Sequence, residues 1–166
     1  AEDYLRHRTK GRPEDLWGNR LAIPYESETG VPTWVAMTLS DDNSATLRSG
    51  ETLEAALDAL EDMDHAGVML NCSKPEIVSA NLPALLRRKK PVGAYANGFA
   101  GIDALEIGGT VKDLKARQEM TPDAYADFAM SWVAEGITLT GGCCEIGPAH
   151  IAELAKRLTA GGFEVV

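Results

Sequence analysis

The chain has 166 residues, of which 45% are hydrophobic, and it carries a formal net charge of −9 at pH 7. This length suits one domain with a substantial core, and the acidic balance argues against a nucleic-acid partner or an anionic membrane surface. No run approaches the roughly 18 apolar residues of a membrane span, and no signal peptide is recognisable. Because three cysteines do not form a secreted disulfide framework, we expect a cytoplasmic protein.

The predicted elements begin after a segment without a clear pattern. Residues 1–30 mix charged and scattered apolar side chains, and we expect an irregular or short helical structure there. The regular patterns lie in residues 31–166, which form the predicted domain. Val31–Leu39 is almost continuously apolar, as is typical of a strand buried on both faces. A polar turn follows, and Glu51–Met63 carries leucines at helical spacing.

Further strands and helices alternate along the chain. Gly67–Asn71 is a short apolar strand, and the helix after it is predicted to begin at Pro75 and to kink or split at Pro83. Pro91–Asn97 is the third predicted strand, and a glycine-rich loop follows it. The remaining predicted elements are a short helix at Val111–Gln118, a helix from Thr121 to Gly136, a strand at Ile137–Thr140 and a helix at Pro148–Leu158.

This alternation predicts the fold class and the place of a site. Strands recur with helices at intervals of about 30 residues, which indicates βαβ units and an α/β protein with four parallel strands. Functional groups in such folds gather at the carboxyl ends of the strands. Cys72, Asn97 and the Cys143–Cys144 pair all fall at the carboxyl ends of predicted strands. The sequence therefore predicts a site that contains all three cysteines of the chain.

Three thiols favour a metal site. Catalytic zinc commonly has three protein ligands and one open position, and thiolate sulfur is a preferred ligand. Cys72, Cys143 and Cys144 match that number, while Gly141 and Gly142 would let the backbone bend so that both adjacent cysteines face one ion. Zinc would keep a thiol substrate in its nucleophilic thiolate form. The residues alone leave two alternatives open, namely a buried apolar Cys72 and a structural or redox cysteine pair.

Three other polar residues have more than one interpretation. His150 lies in the first turn of the last predicted helix, where it is expected to be solvated or to support the metal ligands. His65 precedes a strand in a turn and is also expected to be solvated. Asn97 suits turn capping and substrate binding equally well.

The sequence contains four short motifs, which are Gly67–Ser73, Tyr95–Asn97, Gly141–Cys144 and Pro148–Ile151. Together they resemble the homocysteine S-methyltransferases, whose members depend on betaine, S-methylmethionine or the cobalamin of methionine synthase. The resemblance runs from about Val31 to Leu158. It implies a TIM-type (β/α)8 barrel of which this chain holds only the C-terminal half, with about four strands.

The resemblance also implies a reaction and its site. Zinc would be bound by Cys72, Cys143 and Cys144, the homocysteine thiol would bind the zinc, and a methyl group would pass in line from a small-molecule donor to give methionine. Asn71 and Asn97 are the candidate substrate-binding residues. No catalytic residue is assigned beyond the metal ligands.

Half of a barrel leaves two open sheet edges and one uncovered sheet face, which favours pairing with another chain. We therefore expect a homo-oligomer, a missing N-terminal half, or an edge covered by residues 1–30. An alternative function is that of a catalytically incomplete zinc-binding fragment that acts as a partner or assembly module. A further alternative is a thiol-redox protein that uses Cys143 and Cys144.

Overall fold

The computed structural model describes residues 30–61, 63–101 and 114–165. The predicted N-terminal segment therefore lies outside the described residues, except for Gly30, and so do residues 111–113 of the predicted short helix. In chain order the described elements are β1 (Trp34–Met37), α1 (Leu53–Leu60), β2 (Gly67–Asn71), α2 (Pro75–Leu86), β3 (Val92–Tyr95), α3 (Pro122–Glu135), β4 (Leu139–Thr140) and α4 (Pro148–Ala160).

The four strands form one sheet in the order β1-β2-β3-β4, and each neighbouring pair is parallel. The predicted parallel α/β fold is thus confirmed. One row of the register joins Ala36, Met69, Gly93 and Leu139 across the sheet. Because the strands run side by side in the same direction, the segments that follow them emerge along one edge.

The ladder is shorter than the apolar runs that predicted it. β1 ends at Met37, and the fully buried Leu39 instead forms an antiparallel bridge with Leu47. β4 contains two residues, although the predicted strand began at Ile137. The apolar pattern reports burial, and Leu39 and Ile137 are indeed buried, whereas strand length depends on backbone pairing with the neighbour.

α2 continues through Pro83, so the predicted split of this helix is wrong. Pro83 lies on the exposed side of the helix, while Val78, Leu82 and Leu85 are fully buried. An interior proline costs about 3 kcal/mol, and each buried aliphatic side chain contributes roughly 1.5–3 kcal/mol. Burial of the opposite face therefore outweighs the cost of the proline.

The predicted short helix at Val111–Gln118 is wrong over its described part. Ala116 forms an antiparallel bridge with Phe99. The Ala100 N–H donates to the carbonyl of Lys115 at 2.9 Å, and the Arg117 N–H donates to the carbonyl of Gly98 at 2.8 Å. Backbone pairing with the loop after β3 takes the place of helical hydrogen bonds.

The helices cover one face of the sheet. Val68, Leu70 and Ala94 point toward them and belong to the same core cluster as Leu82 and Trp132. Within the described residues, no helix has the length and apolar character needed to cross a membrane.

The opposite face carries Trp34 and Leu139. A Cβ atom added at Gly67 would lie 2.6 Å from the Trp34 ring, and one added at Gly93 would lie 3.2 Å from the Leu139 side chain. Leu139 is 36% exposed. This face is therefore apolar and partly open in the described part of the chain.

Candidate metal centre

The three predicted thiols meet at the carboxyl edge of the sheet. Cys72 directly follows β2, and Cys143 and Cys144 follow β4. All three sulfur atoms lie within 4.8 Å of one another, the Sγ atoms of the adjacent pair are 3.9 Å apart, and none is in a disulfide. Tetrahedral zinc with Zn–S bonds of about 2.3 Å requires sulfurs about 3.8 Å apart. The donor set therefore fits a zinc ion after small side-chain adjustments.

The thiols differ in their exposure. Cys72 and Cys143 are half-buried, whereas Cys144 is exposed. Burial, together with the adjacent Cys72 thiol, raises the pKa of Cys143 to about 12. A nearby cation has the opposite effect because it stabilises the thiolate. The cluster has the sulfur donors that a soft cation requires, and it is open to solvent on the side of Cys144.

The backbone of Cys72 is held in an unusual conformation. Its φ angle is 49°, in the left-handed region that costs a residue with a side chain roughly 1–2 kcal/mol. The Cys72 carbonyl accepts hydrogen bonds from Arg48 Nη2 and from Asn97 Nδ2, both at 2.7 Å. The Cys72 N–H donates to the Tyr95 carbonyl at 3.1 Å. These bonds hold the turn that directs the thiol toward the other two cysteines.

Asn97 is fully buried and uses both ends of its amide. Nδ2 donates to the Cys72 carbonyl, while Oδ1 accepts from the Phe99 N–H at 3.0 Å. Its backbone N–H donates to the Ser73 carbonyl at 3.0 Å. Turn capping accounts for these contacts, and substrate binding by Asn97 stays a prediction.

Asn71 borders the thiols and is less buried than Asn97. Its Oδ1 accepts a hydrogen bond from the Thr38 hydroxyl at 2.8 Å, and its neighbour across the sheet is Tyr95. Burial raises the pKa of Tyr95, and the neighbouring Cys143 and Cys72 thiols add to this shift. Beside the sulfur cluster there is thus a short polar row, formed by Thr38, Asn71 and Tyr95. Substrate binding by Asn71 stays a prediction.

The Cys143–Cys144 loop is bonded to the segment after β3. The Cys143 N–H donates to the Ala96 carbonyl at 3.0 Å, and the Gly98 N–H donates to the Cys144 carbonyl at 2.9 Å. The Ile146 N–H closes the turn on the Cys143 carbonyl at 3.1 Å. The loop that carries two sulfurs is thus positioned by β3 as well as by its own strand.

The two glycines before the cysteine pair do not adopt the left-handed conformation that favours glycine. Neither Gly141 nor Gly142 has a positive φ angle, whereas Glu145 does, at 64°. Gly142 is required for another reason, because a Cβ atom there would lie 2.2 Å from Ile146 Cγ2. At Gly141 an added Cβ would meet no atom within 4 Å. The close approach of Ile146 to Gly142 therefore leaves no room for a side chain at that position. Backbone bending at the two glycines stays a prediction.

His65 is not solvated as predicted. Its side chain is 4% exposed, and Nδ1 lies 2.9 Å from the Met63 carbonyl. The Lys90 ammonium donates to the His65 carbonyl at 2.7 Å. The ring lines a cavity of about 390 Å³ with Val68, the second residue of β2, so it lies near the start of the strands, away from the thiols.

His150 is also held by the protein rather than solvated. Its Nδ1 accepts from the Gly147 N–H at 3.2 Å, so the proton lies on Nε2, which is 2.8 Å from the Met120 carbonyl. Gly147 is the residue before α4, and the His150 ring, three residues later, reaches back to its N–H as the N3 side chain of a capping box does. A histidine three residues after a glycine at a helix start was the sequence signal for this contact.

Arg117 was not singled out in the sequence, yet it fixes the segment that pairs with the loop after β3. Its guanidinium bonds both carboxylate oxygens of Glu76, at 2.9 and 2.8 Å, and bonds Glu119 at 3.0 Å. Hydrogen bonding to Arg117 lowers the pKa of Glu76 from its ordinary value of 4.5. Glu76 lies in the first turn of α2, so this pair braces the segment against the helix that follows Cys72.

Replacing Glu76 by Gln should reduce the loss of unfolding free energy between pH 7 and pH 3. A carboxyl group whose pKa is lower in the folded state stabilises the fold above its ordinary value of 4.5, and the contribution is lost as the pH falls. Because the carboxylate is half-exposed, the effect is about 0.2–1 kcal/mol. Urea unfolding at pH 7 and pH 3 should show a smaller loss of stability in Glu76→Gln than in the wild type. Glu51→Gln, at an exposed position, is the control and should retain the wild-type difference.

Comparison with known proteins identifies similar sequences and a similar fold. A family model described as homocysteine S-methyltransferase matches residues 18–158, which include all three cysteines. Methionine synthase of Mycobacterium tuberculosis is 33% identical over 131 residues, covering 77% of this chain and 10% of that protein. Homocysteine S-methyltransferase 1 of Arabidopsis thaliana is 28% identical over 140 residues, covering 80% of this chain and 39% of that protein.

A solved structure agrees with the fold. The crystal structure of the homocysteine methyltransferase MmuM from Escherichia coli, in its oxidized form, superposes with a TM-score of 0.62 and 23% sequence identity. The match covers 84% of this chain and 40% of that chain. The chain therefore spans less than half the length of this structure and of the Arabidopsis relative.

Proposed function

Because the chain belongs to the homocysteine S-methyltransferase family, we propose that it carries out methyl transfer to the thiol of homocysteine, giving methionine. We also propose that Cys72, Cys143 and Cys144 bind a zinc ion for this reaction. The observation that carries the proposal is the group of three sulfurs within 4.8 Å of one another, free of disulfides, at the carboxyl edge of a parallel sheet. This is the edge where (β/α) folds hold their active sites.

The proposed chemistry needs a thiolate nucleophile. Zinc, when bound, would lower the pKa of the homocysteine thiol so that its sulfur is ionised near neutral pH. The homocysteine sulfur then forms a bond to the methyl carbon, and the bond between that carbon and the donor breaks, with its electron pair leaving on the donor. The three cysteines supply the metal ligands, and the exposure of Cys144 leaves an approach from solvent.

The polar row beside the cluster is a suitable place for the amino-acid part of homocysteine. Asn71 lies at the end of β2, next to the Tyr95 phenol, and is only half-buried. Asn97 is fully buried and its amide is already hydrogen-bonded at both ends. We therefore place substrate binding on Asn71 and assign Asn97 to the support of Cys72.

The remainder of the site is proposed to come from outside the described residues. The chain spans about 40% of the matched structure, and the sheet face that carries Trp34 and Leu139 is partly open. A further set of strands, from a second copy or from additional sequence, would cover this face and contribute to the methyl-donor site. A cytoplasmic setting is proposed because the three free thiols must stay reduced to bind metal.

Methionine formation tests the proposed function. The zinc-loaded chain is incubated with homocysteine and, separately, with S-methylmethionine, betaine or methylcobalamin, and methionine is measured by mass spectrometry. We expect methionine with at least one donor and none with the Cys143→Ser variant. Equal amounts from the two proteins would contradict a role for the cysteine cluster. No methionine with any donor, despite bound zinc and homocysteine, would contradict methyl transfer by this chain.

A further inference from the structure

Tyr125 connects the two loops that flank the metal centre. It lies in the first turn of α3, and its side chain is fully buried. Its hydroxyl accepts a hydrogen bond from the Ala96 N–H at 3.1 Å and donates one to the Gly141 carbonyl at 2.5 Å. The register between β3 and β4 ends at Ala94 and Thr140. The hydroxyl therefore joins the two backbones just beyond the point where their ladder stops.

The ring of Tyr125 has a fixed position. Trp132 and His150 both contact it edge to face, with ring centroids 6.2 and 6.1 Å away. The His150 ring is itself bonded at both nitrogens, to the Gly147 N–H and the Met120 carbonyl. Burial raises the pKa of the Tyr125 phenol far above its ordinary range, so the hydroxyl keeps its proton and remains a donor. The position of the hydroxyl is thus set by the packing of α3 and α4.

The two backbone segments that Tyr125 joins are connected to Cys72 and Cys143 through hydrogen bonds and adjacent residues. Ala96 accepts a hydrogen bond from the Cys143 N–H and precedes Asn97, whose side chain bonds the Cys72 carbonyl. A shift of either loop relative to the other would therefore change the distance between the Cys72 and Cys143 sulfurs. Zinc tolerates little such change, because its bonds to sulfur are close to 2.3 Å.

We propose that Tyr125 is a positioning residue for the metal centre: its hydroxyl sets the separation between the loop after β3, which is bonded to Cys72 through Asn97, and the loop that carries Cys143. This inference rests on the proposed zinc site, although it concerns a residue that contacts neither the metal nor the substrate. Outer groups that orient metal ligands typically change metal affinity by about 10- to 100-fold. The same range is expected for loss of this hydroxyl.

The Tyr125→Phe variant removes the hydroxyl and keeps the ring. Its zinc dissociation constant, measured by competition with a chromogenic chelator, should rise about 10- to 100-fold. In the cobalt-loaded protein, the thiolate-to-cobalt charge-transfer band should weaken or shift, because that band depends on the number and geometry of the sulfur ligands. This spectrum reports the metal centre directly and does not depend on activity.

Ser79→Ala is the matched control. It removes the hydroxyl that accepts a hydrogen bond from the Trp132 indole N–H at 2.8 Å, so it also disrupts a bond to a buried aromatic side chain of α3. Ser79 lies in α2, and its bonds, to Trp132 and to the Pro75 carbonyl, do not involve the cysteine loops. The control should lower thermal stability but leave the zinc dissociation constant and the cobalt spectrum unchanged.

The outcomes separate this inference from the proposed function. Wild-type zinc affinity and an unchanged cobalt spectrum in Tyr125→Phe would overturn the positioning role. Equal weakening in Tyr125→Phe and Ser79→Ala would also overturn it, since general destabilisation would then explain the result. If the wild-type chain itself bound no zinc, the proposed metal site would fail and this inference with it.

Discussion

The Cys143→Ser variant is expected to lose its zinc. The Cys143 sulfur is 3.9 Å from the Cys144 sulfur and within 4.8 Å of Cys72, so it belongs to the only group of three metal-binding side chains found among the described residues. A serine hydroxyl is a hard, protonated oxygen and replaces thiolate poorly on zinc. Loss of a direct ligand should lower zinc affinity by more than the roughly 100-fold seen for outer groups. Metal analysis after gel filtration measures the zinc content per chain.

Glu145→Gln is the control for this experiment. Glu145 is exposed and directly follows Cys144, so the variant changes the charge beside the cluster without removing a sulfur. It should retain about one zinc per chain, as the wild type should. Full zinc content in Cys143→Ser would contradict the assignment of Cys143 as a ligand. Loss of zinc in both variants would instead show that the carboxylate takes part in binding.

The place of the site could be predicted from the sequence because it depends on the order of elements. Apolar runs and helical spacing showed that strands and helices alternate, and alternation fixes a parallel sheet. Cys72 and Cys143 each follow a strand, so they must emerge at the same edge of neighbouring or nearby strands. Their meeting within 4.8 Å follows from this topology and from the one intervening strand, β3.

The details of the site depended on contacts that a linear pattern does not contain. The left-handed turn at Cys72 is held by Arg48 and Asn97, which are 24 and 25 residues away in the chain. Tyr125 lies in the helix predicted from Thr121 to Gly136, and helical spacing does not indicate what its hydroxyl bonds. Residues separated by such distances are brought together by packing, and their partners cannot be assigned from spacing alone.

The same limit explains the errors at His65 and His150. His65 was assigned to solvent, and His150 to solvent or to the support of the metal ligands, because polar residues in turns and first helical turns are usually exposed. Each ring instead forms a hydrogen bond with a nearby backbone group. His65 bonds the Met63 carbonyl, and His150 bonds the Gly147 N–H. Backbone groups in buried segments must be hydrogen-bonded, and an adjacent imidazole satisfies this need as well as water does.

The second large effect is expected for Gly142→Ala. The added methyl group would lie 2.2 Å from Ile146 Cγ2 and 2.7 Å from Ile146 Cβ, far inside contact distance. Ile146 is buried and bonded through its N–H to the Cys143 carbonyl, so it cannot move without moving the cysteine turn. We expect unfolding free energy to fall by about 1–3 kcal/mol and zinc affinity to fall at least tenfold. Urea unfolding and chelator competition measure the two quantities.

Gly141→Ala is the matched control, and it separates two explanations for the glycine pair. An added Cβ at Gly141 meets no atom within 4 Å, and its φ angle is not in the left-handed region. This variant should keep wild-type stability and zinc affinity if close approach is what the loop requires. If both glycines are needed for backbone bending, the two alanine variants should instead be equally impaired.

A second substitution tests the contact itself. In Gly142→Ala with Ile146→Ala, the Cγ2 methyl group 2.2 Å from the new Cβ is absent while the Cβ at 2.7 Å stays, so part of the lost zinc affinity should return. Ile146→Ala alone is the reference, because it leaves a cavity and lowers stability by about 2–5 kcal/mol. A double-mutant cycle then gives the coupling between the two positions: the double variant should lose less stability than the sum of the two single losses, by more than the roughly 0.5 kcal/mol scatter of independent sites. Coupling near zero would mean that Gly142 and Ile146 do not restrict each other, and the steric account of the cysteine loop would fail.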